Sequence, residues 1–181
     1  MIVFVSGGAK SGKSALAQDI AVQLSREKPR YYMATLVSTG AEDDDRIRRH
    51  LEDRKDLQFE TVECFGNVLD CLQSTDPTGT FLLDSVTSLL QNVLFPPEQN
   101  YRMDLAAASR CQRRLIEFAD RVGNVIFVSD YIYSDAEQYS ESTEAYRRCL
   151  AGVDRALAAI SDVVLEVYSG QVTVHKGEKI R

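Results

Sequence analysis

The chain has 181 residues, a net charge of −6 and 44% hydrophobic residues, a composition typical of a folded globular protein. The acidic balance argues against a nucleic acid as the main partner, because that binding needs a basic surface. No apolar run reaches the roughly 18 residues of a membrane-spanning helix, and residues 1–5 lack the basic start of a signal peptide. We therefore expect a single cytoplasmic domain over residues 1–181, with no membrane partner.

Short apolar runs and amphipathic segments alternate along the chain. Strands are predicted at 2–5, 31–34, 59–62, 80–83 and 125–128. Helices are predicted at 14–28, 42–54, 66–73, 85–95, 103–121 and 144–161. Residues 163–168 and 171–175 are predicted to form a terminal hairpin. This alternation indicates an α/β three-layer sandwich, with a mostly parallel sheet covered on both faces and an antiparallel hairpin at the C-terminus.

The first loop carries the most specific motif, G-x-x-x-x-G-K-[ST], directly between the first predicted strand and helix. The motif consists of Gly7, Gly8, Ala9, Lys10, Ser11, Gly12, Lys13 and Ser14. In such a loop the glycines let backbone N–H groups turn toward phosphate oxygens, and Lys13 brings a full charge to the terminal phosphates. The Ser14 hydroxyl is a ligand for Mg²⁺. The motif predicts a nucleoside triphosphate site, whereas a plain Gly-rich turn is the alternative.

A second acid, at the end of another strand, often completes the metal site of a phosphate loop. Asp84 closes the predicted strand 80–83 and has this position. It is a ligand of Mg²⁺, a solvated carboxylate, or an N-cap for the helix starting at Ser85. The phosphate loop favours the metal role.

His50 lies in a highly charged predicted helix. Arg46 and Arg54 are four residues before and after it, so the three share one face, while Ile47 and Leu51 are predicted to point to the core. A neutral imidazole between arginines is suited to attack phosphorus, because the arginines neutralise the phosphate charge. The alternative is a solvent-exposed helix with acid–base pairs at i, i+4 spacing, and spacing alone favours that alternative.

Taken together, five stretches carry a resemblance to a known family. They are 2–14, 32–35, 46–50 with Arg54, 61–64, and 82–87 with 92–95. In combination they resemble the bifunctional adenosylcobinamide kinase / adenosylcobinamide-phosphate guanylyltransferase family of cobalamin biosynthesis. The resemblance is specific through this combination, because the phosphate loop alone fits many ATPases and kinases. A member is expected to have the RecA-like fold of P-loop NTPases.

The resemblance implies two half-reactions. Adenosylcobinamide is phosphorylated, and GMP is then transferred from GTP to adenosylcobinamide phosphate through a guanylylated histidine, which His50 matches. Lys13 matches the catalytic lysine of the nucleotide loop. The further nucleotide contacts implied are Ala34, Thr35, Leu36, Leu51, Glu52, Asp53, Arg54, Glu63 and Asp84. Imidazole has an ordinary pKa near ~6.5, so it is largely neutral at cellular pH and already nucleophilic.

The same resemblance implies the ligands and the assembly. GTP, ATP and Mg²⁺ are the expected cofactors, with Ser14 and Asp84 as metal ligands. The expected partners are adenosylcobinamide and its phosphate, as small-molecule substrates. A cytoplasmic homotrimer is expected, with the active site near the subunit boundary.

The second half of the chain departs from the family pattern. The family usually has Asn-Glu-Val-Gly followed by Gly and Pro, whereas residues 129–135 read Ser-Asp-Tyr-Ile-Tyr-Ser-Asp. The family's later Phe-Arg-Asp and Asn-Gln positions correspond to 146–148 and 154–155. We expect residues 129–148 to form a mobile acidic segment near the acceptor, too polar to bury well. Neutral drift in a surface loop is the alternative.

Two other functions are compatible with these motifs. One is a divergent P-loop kinase or nucleotide-binding protein that performs a single half-reaction, or acts on another alcohol or phosphate. The other is a non-catalytic module that uses nucleotide binding to set an oligomeric state. Covalent labelling of His50 by GTP separates the enzyme from the module, because a module needs no phosphoramidate.

Overall fold

The computed structural model describes residues 1–133, 137–178 and 180, so part of the predicted segment 129–148 lies outside the described residues. The strands are β1 (Ile2–Gly7), β2 (Arg30–Ala34), β3 (Phe59–Glu63), β4 (Thr80–Asp84), β5 (Asn124–Asp130), β6 (Val163–Tyr168) and β7 (Gln171–Lys176). The α-helices are α1 (Lys13–Ser25), α2 (Ala41–Arg54), α3 (Val86–Leu94), α4 (Leu105–Arg121) and α5 (Glu141–Ile160). Short 3-10 helices cover Lys55–Leu57, Val68–Gln73 and Pro97–Gln99.

The strands form one seven-stranded sheet in the order β3-β2-β4-β5-β1-β6-β7. All neighbouring pairs are parallel except β6 and β7, which form the antiparallel hairpin. This confirms the predicted α/β architecture and its C-terminal hairpin. Within the described part of the chain, no helix is long and apolar enough to cross a membrane.

Different helices cover the two faces of the sheet. Val5 and Ile126 pack with α1 on one face, and Phe4 and Phe127 pack with α3, α4 and α5 on the other. Adjacent strand residues join different cores because side chains alternate between the faces of a strand. The result is three layers, as predicted.

The parallel strands bring their carboxyl ends to one edge of the sheet. Gly7 of β1 is level with Asp130 of β5, and Asp84 of β4 is level with Val128 of β5. Asp84 has the same parity as the buried Leu82, and Asp130 the same parity as Val128, so both acids lie on the α1 face. Ligands of open parallel sheets bind at this carboxyl edge.

The orientation predicted for two residues of α2 is wrong. Leu51 is 47% exposed and Ile47 is half-buried, whereas the only buried residue of α2 is Arg54. Their spacing is that of a core-facing stripe, but α2 presents these side chains to a cavity instead.

The prediction of a mobile acidic segment at 129–148 is wrong for its two ends. Ser129 is fully buried in β5, and Tyr146 and Arg147 are buried in α5. α5 begins after Ser140, whose hydroxyl accepts a hydrogen bond from the Thr143 N–H at 3.3 Å. Polar residues are buried here because hydrogen bonds satisfy them, which composition does not reveal.

Candidate active site

The phosphate loop connects β1 to α1 and has the backbone that its glycines permit. Gly12 lies in the left-handed region with φ of 100°, which is a conformation that glycine adopts without strain. A Cβ atom at Gly7 would lie 2.5 Å from the Val167 carbonyl oxygen and 2.8 Å from the Ser11 hydroxyl. Position 7 therefore excludes any side chain.

Lys13 is buried at the start of α1 and its ammonium is held in place. Its Nζ donates hydrogen bonds to the Gly8 carbonyl at 2.9 Å and to Asp130 Oδ1 at 2.5 Å. The buried Ser11 hydroxyl has no hydrogen-bond partner among the described residues. An unpaired buried hydroxyl and a buried ammonium at a helix N-terminus fit a phosphate group.

Asp130 is a residue that the sequence interpretation did not assign to the site. In the sequence it belongs to the segment that departs from the family pattern. The available signal was the same as for Asp84, an apolar strand that ends in an acid. Its contact with Lys13 depends on β5 lying beside β1, which the local sequence does not encode.

Asp84 faces a neighbouring cavity and is not a helix cap. Its Oδ2 accepts a hydrogen bond from the Tyr32 hydroxyl at 3.1 Å. The cap of α3 is Ser85, whose Oγ accepts from the Ser88 N–H at 3.2 Å. Burial, followed by the Asp84 charge, raises the pKa of Tyr32 well above its usual value. The helix-cap alternative for Asp84 is therefore wrong, and the metal role stays a prediction.

A cavity of about 400 Å³ lies between α2 and the ends of β2, β3 and β4. It collects most of the predicted site residues outside the phosphate loop. These are Ala34, Thr35, Leu36, His50, Leu51, Arg54, Glu63 and Asp84. Glu52 and Asp53 are exposed on α2 and do not line the cavity, and Glu52 forms an ion pair with Lys55.

His50 is flanked in this cavity by Arg46 and Arg54, as the spacing predicts. Desolvation by burial lowers the pKa of His50 below its usual value. The positive charges of Arg46 and Arg54 act in the same direction, while Asp84 and Asp53 oppose them. The imidazole is therefore neutral at pH 7 and keeps a lone pair for nucleophilic attack.

Arg54 is fixed more rigidly than an ordinary surface arginine. It is 5% exposed, its guanidinium carbon lies 3.8 Å from the Tyr32 ring centroid, and it donates to the Thr61 hydroxyl at 3.1 Å. On the outer surface, Arg48 pairs with Asp45 at 2.8 Å. The helix is thus a charged surface helix on one side and lines a cavity with His50 on the other.

A larger groove of about 720 Å³ continues from the His50 cavity. Arg46, Phe65 and Ser88 line both spaces, and Thr87 and Asp130 line the groove next to the phosphate loop. The histidine, the groove and the phosphate-loop lysine thus lie along one edge of the sheet. This arrangement can bind a nucleotide and an acceptor beside each other.

Known proteins are similar to this chain over most of its length. A sequence profile of the family described as cobinamide kinase / cobinamide phosphate guanyltransferase matches residues 3–174. The bifunctional adenosylcobalamin biosynthesis protein CobU of Salmonella typhimurium is 28% identical, over 94% of this chain and 97% of that protein. The protein of the same name from Escherichia coli is 27% identical, with the same two coverages.

Solved structures of low identity share the fold. The ATPase domain of G40P is 12% identical with a TM-score of 0.54, and the match covers 97% of this chain and 76% of that one. The Pyrococcus horikoshii OT3 protein PH0250 is 11% identical with a TM-score of 0.54, covering 98% and 87%. These likenesses show the fold alone, whereas the profile spans nearly the whole sequence. The chain belongs to the cobinamide kinase / cobinamide phosphate guanyltransferase family.

Proposed function

We propose that this chain phosphorylates adenosylcobinamide and then transfers GMP from GTP to the adenosylcobinamide phosphate. The observation that carries this proposal is His50, a half-buried imidazole with a lowered pKa, placed between two arginines in a cavity on the same edge of the sheet as the phosphate loop. Family membership and the names of the two relatives support the choice of substrate.

In the kinase half-reaction, the phosphate loop would hold the donor nucleotide. The acceptor hydroxyl oxygen attacks the γ-phosphorus, the bond to the β,γ-bridging oxygen breaks, and a nucleoside diphosphate leaves. Lys13 neutralises charge at the transferred group. Ser14 and Asp84 would hold Mg²⁺, because their hydroxyl and carboxylate oxygens are the hard donors that this ion takes together with substrate phosphates. The ion supplies charge neutralisation at the phosphates.

In the transferase half-reaction, a ring nitrogen of His50 attacks the α-phosphorus of GTP. The bond between the α-phosphorus and the α,β-bridging oxygen breaks, pyrophosphate leaves, and GMP stays on the imidazole through an N–P bond. A phosphate oxygen of the acceptor then attacks the same phosphorus and the N–P bond breaks, which restores the histidine. Arg46 and Arg54 neutralise the phosphoryl oxygens in both steps.

The two half-reactions would use adjoining parts of one edge. β5 and β4 separate β1 from β2, which is three strand spacings, or about 14 Å. The phosphate loop follows β1, while His50 lies over the ends of β2 to β4. The groove that joins them offers a path for the phosphorylated arm from one centre to the other.

The test is covalent labelling with α-labelled GTP and Mg²⁺, followed by mapping of the acid-labile label. The wild-type chain should carry label on His50. The variant His50→Asn should carry none and release no pyrophosphate, because the amide has no nucleophilic ring nitrogen. His175→Asn is the matched control, since His175 is exposed in β7 and contacts Glu166 at 2.8 Å. Label on His175 or Lys13, or label retained by His50→Asn, would refute the transferase mechanism.

The labelling experiment, together with a measurement of adenosylcobinamide phosphate formed from adenosylcobinamide and ATP or GTP, decides between the enzyme and the alternatives. A nucleotide-binding module should bind GTP without any covalent label, and a chain with one half-reaction should give either label or adenosylcobinamide phosphate but not both. We further propose ATP or GTP as the kinase donor, GTP as the GMP donor, and a cytoplasmic homotrimer formed from single-domain chains. Glu52 and Asp53 do not line the cavity, so any contact that they make with the nucleotide would lie outside it.

A further inference from the structure

Asp130 lies where the phosphate loop meets the groove. It ends β5, level with Gly7 of β1, and its Oδ1 accepts a hydrogen bond from Lys13 Nζ at 2.5 Å. Within the described part of the chain, Lys13 is the one side chain that pairs with this carboxylate. In loops of this kind the lysine ammonium binds the terminal phosphates. The Asp130 carboxylate, which contacts the same ammonium, would therefore lie near the phosphoryl group that is transferred.

The Asp130 carboxylate is accessible from the acceptor side. Its side chain keeps 18% exposure, whereas Lys13 keeps 7%, and Asp130 lines the groove with Thr87. A group that enters along the groove therefore meets Asp130 before it meets the lysine. In the proposed kinase half-reaction, an acceptor that binds in the groove approaches the phosphate loop from this side.

A buried hydrogen-bond network fixes the backbone that carries this carboxylate. The Asp130 N–H donates to the Thr87 hydroxyl at 2.8 Å, and the adjacent Ser129 hydroxyl donates to Asp154 Oδ2 at 3.0 Å. The Tyr146 hydroxyl donates to the Thr87 carbonyl at 3.0 Å, which ties α5 to α3 behind the site. Main-chain and side-chain contacts thus hold Asp130 in place, as a group that moves a proton requires.

A carboxylate beside a bound triphosphate raises the electrostatic energy unless it receives positive charge or a proton. Lys13 supplies charge to one oxygen, Oδ1. A proton from an acceptor hydroxyl satisfies the other oxygen. Asp130 is not an ordinary surface carboxylate, because its side chain is only 18% exposed and is paired with the phosphate-loop lysine.

We infer that Asp130 is the proton acceptor for the hydroxyl that attacks the γ-phosphorus. As the O–P bond forms, the hydroxyl proton moves to the Asp130 carboxylate, and the nucleoside diphosphate leaves with the bridging oxygen. Asp130 then releases the proton to solvent through the groove. This inference rests on the proposed kinase half-reaction, and it concerns no step at His50.

The test uses the full chain with ATP and Mg²⁺, and measures adenosylcobinamide phosphate and, without acceptor, ATP hydrolysis. Asp130→Asn should lower kcat for both by about 100-fold or more, the lower end of general-base contributions. ATP affinity should be unchanged or tighter, because Lys13 loses a competing anion. Labelling of His50 from GTP should persist. Asp120→Asn, an exposed residue at the far end of α4, is the matched control.

Chemical rescue separates proton transfer from structure. Excess sodium formate should restore activity to Asp130→Ala, whereas chloride at the same concentration should not. The inference is overturned if Asp130→Asn keeps kcat within threefold of wild type, or if raised Mg²⁺ restores its activity, which would make Asp130 a metal ligand. If the wild-type chain makes no adenosylcobinamide phosphate, the proposed function fails, and the loss of ATP hydrolysis in Asp130→Asn still decides the role of Asp130.

Discussion

Replacing Asp154 by asparagine should stabilise the protein increasingly as the pH rises from about 4 to about 7, and change little below about pH 4. Asp154 is 3% exposed in α5, and its Oδ2 accepts hydrogen bonds from Ser129 and Tyr133, each at 3.0 Å. Its Oδ1 has no partner among the described residues. Burial raises the pKa of Asp154 to about 7, with a smaller contribution from the Asp130 charge, while the two hydrogen bonds oppose this.

The magnitude follows from the difference between the folded and unfolded states. The carboxyl has a pKa of 3.8 in the unfolded chain and about 7 in the folded one. The folded state therefore holds an extra proton between these values, and stability falls as pH rises from about 4 to about 7. Three pKa units correspond to about 4 kcal/mol, which is a large part of the usual 5–15 kcal/mol of a domain.

Urea unfolding of wild type and Asp154→Asn from about pH 4 to about pH 8 tests this prediction. Asparagine resembles the neutral acid in shape and keeps an oxygen for Ser129 and Tyr133, so the two proteins should be similar at low pH. The advantage of the variant should grow with pH up to about 4 kcal/mol. Other carboxyls titrate equally in both proteins and cancel in the difference. A difference that does not change with pH, or a wild type that is more stable at about pH 8, would refute the argument.

Two further substitutions test the phosphate loop and the orientation of α2. Lys13→Ala should weaken ATP and GTP binding by about 2 kcal/mol, or about 30-fold, because a buried positive charge that binds the terminal phosphates is lost. Titration calorimetry measures this affinity. An unchanged affinity would mean that the nucleotide binds elsewhere. Leu51→Ala should change the free energy of unfolding by less than about 0.5 kcal/mol, because Leu51 is 47% exposed. Truncating a core leucine costs about 2–5 kcal/mol. A loss in that range, measured by urea unfolding, would mean that Leu51 faces the core after all.

Local sequence patterns were sufficient to predict the elements and the phosphate loop. Residues 81–83 and 125–128 are continuous apolar runs, and such runs indicate strands buried on both faces. The loop at 7–14 is recognised by its own residues, because its backbone conformation depends on glycines within the motif.

Contacts between segments that are distant in the sequence could not be predicted from local patterns. Asp130 and Lys13 are 117 positions apart, and they meet because β5 pairs with β1. The sequence contains both residues but not the strand order. Likewise, Ile47 and Leu51 have the spacing of a core stripe, and only the position of α2 over a cavity turns them away from the core.

The hydrogen-bond network behind the phosphate loop makes the effects of substitutions at several positions depend on one another. Thr87, Ser129 and Asp154 belong to α3, β5 and α5, and removing the side-chain oxygen of any one of them leaves a hydrogen-bonding group of another without its partner. Such positions cannot vary independently in evolution, and their mutational effects should not add. Transplanting the site into a related chain therefore requires these residues to be moved together with Asp130, as a set drawn from three separate elements.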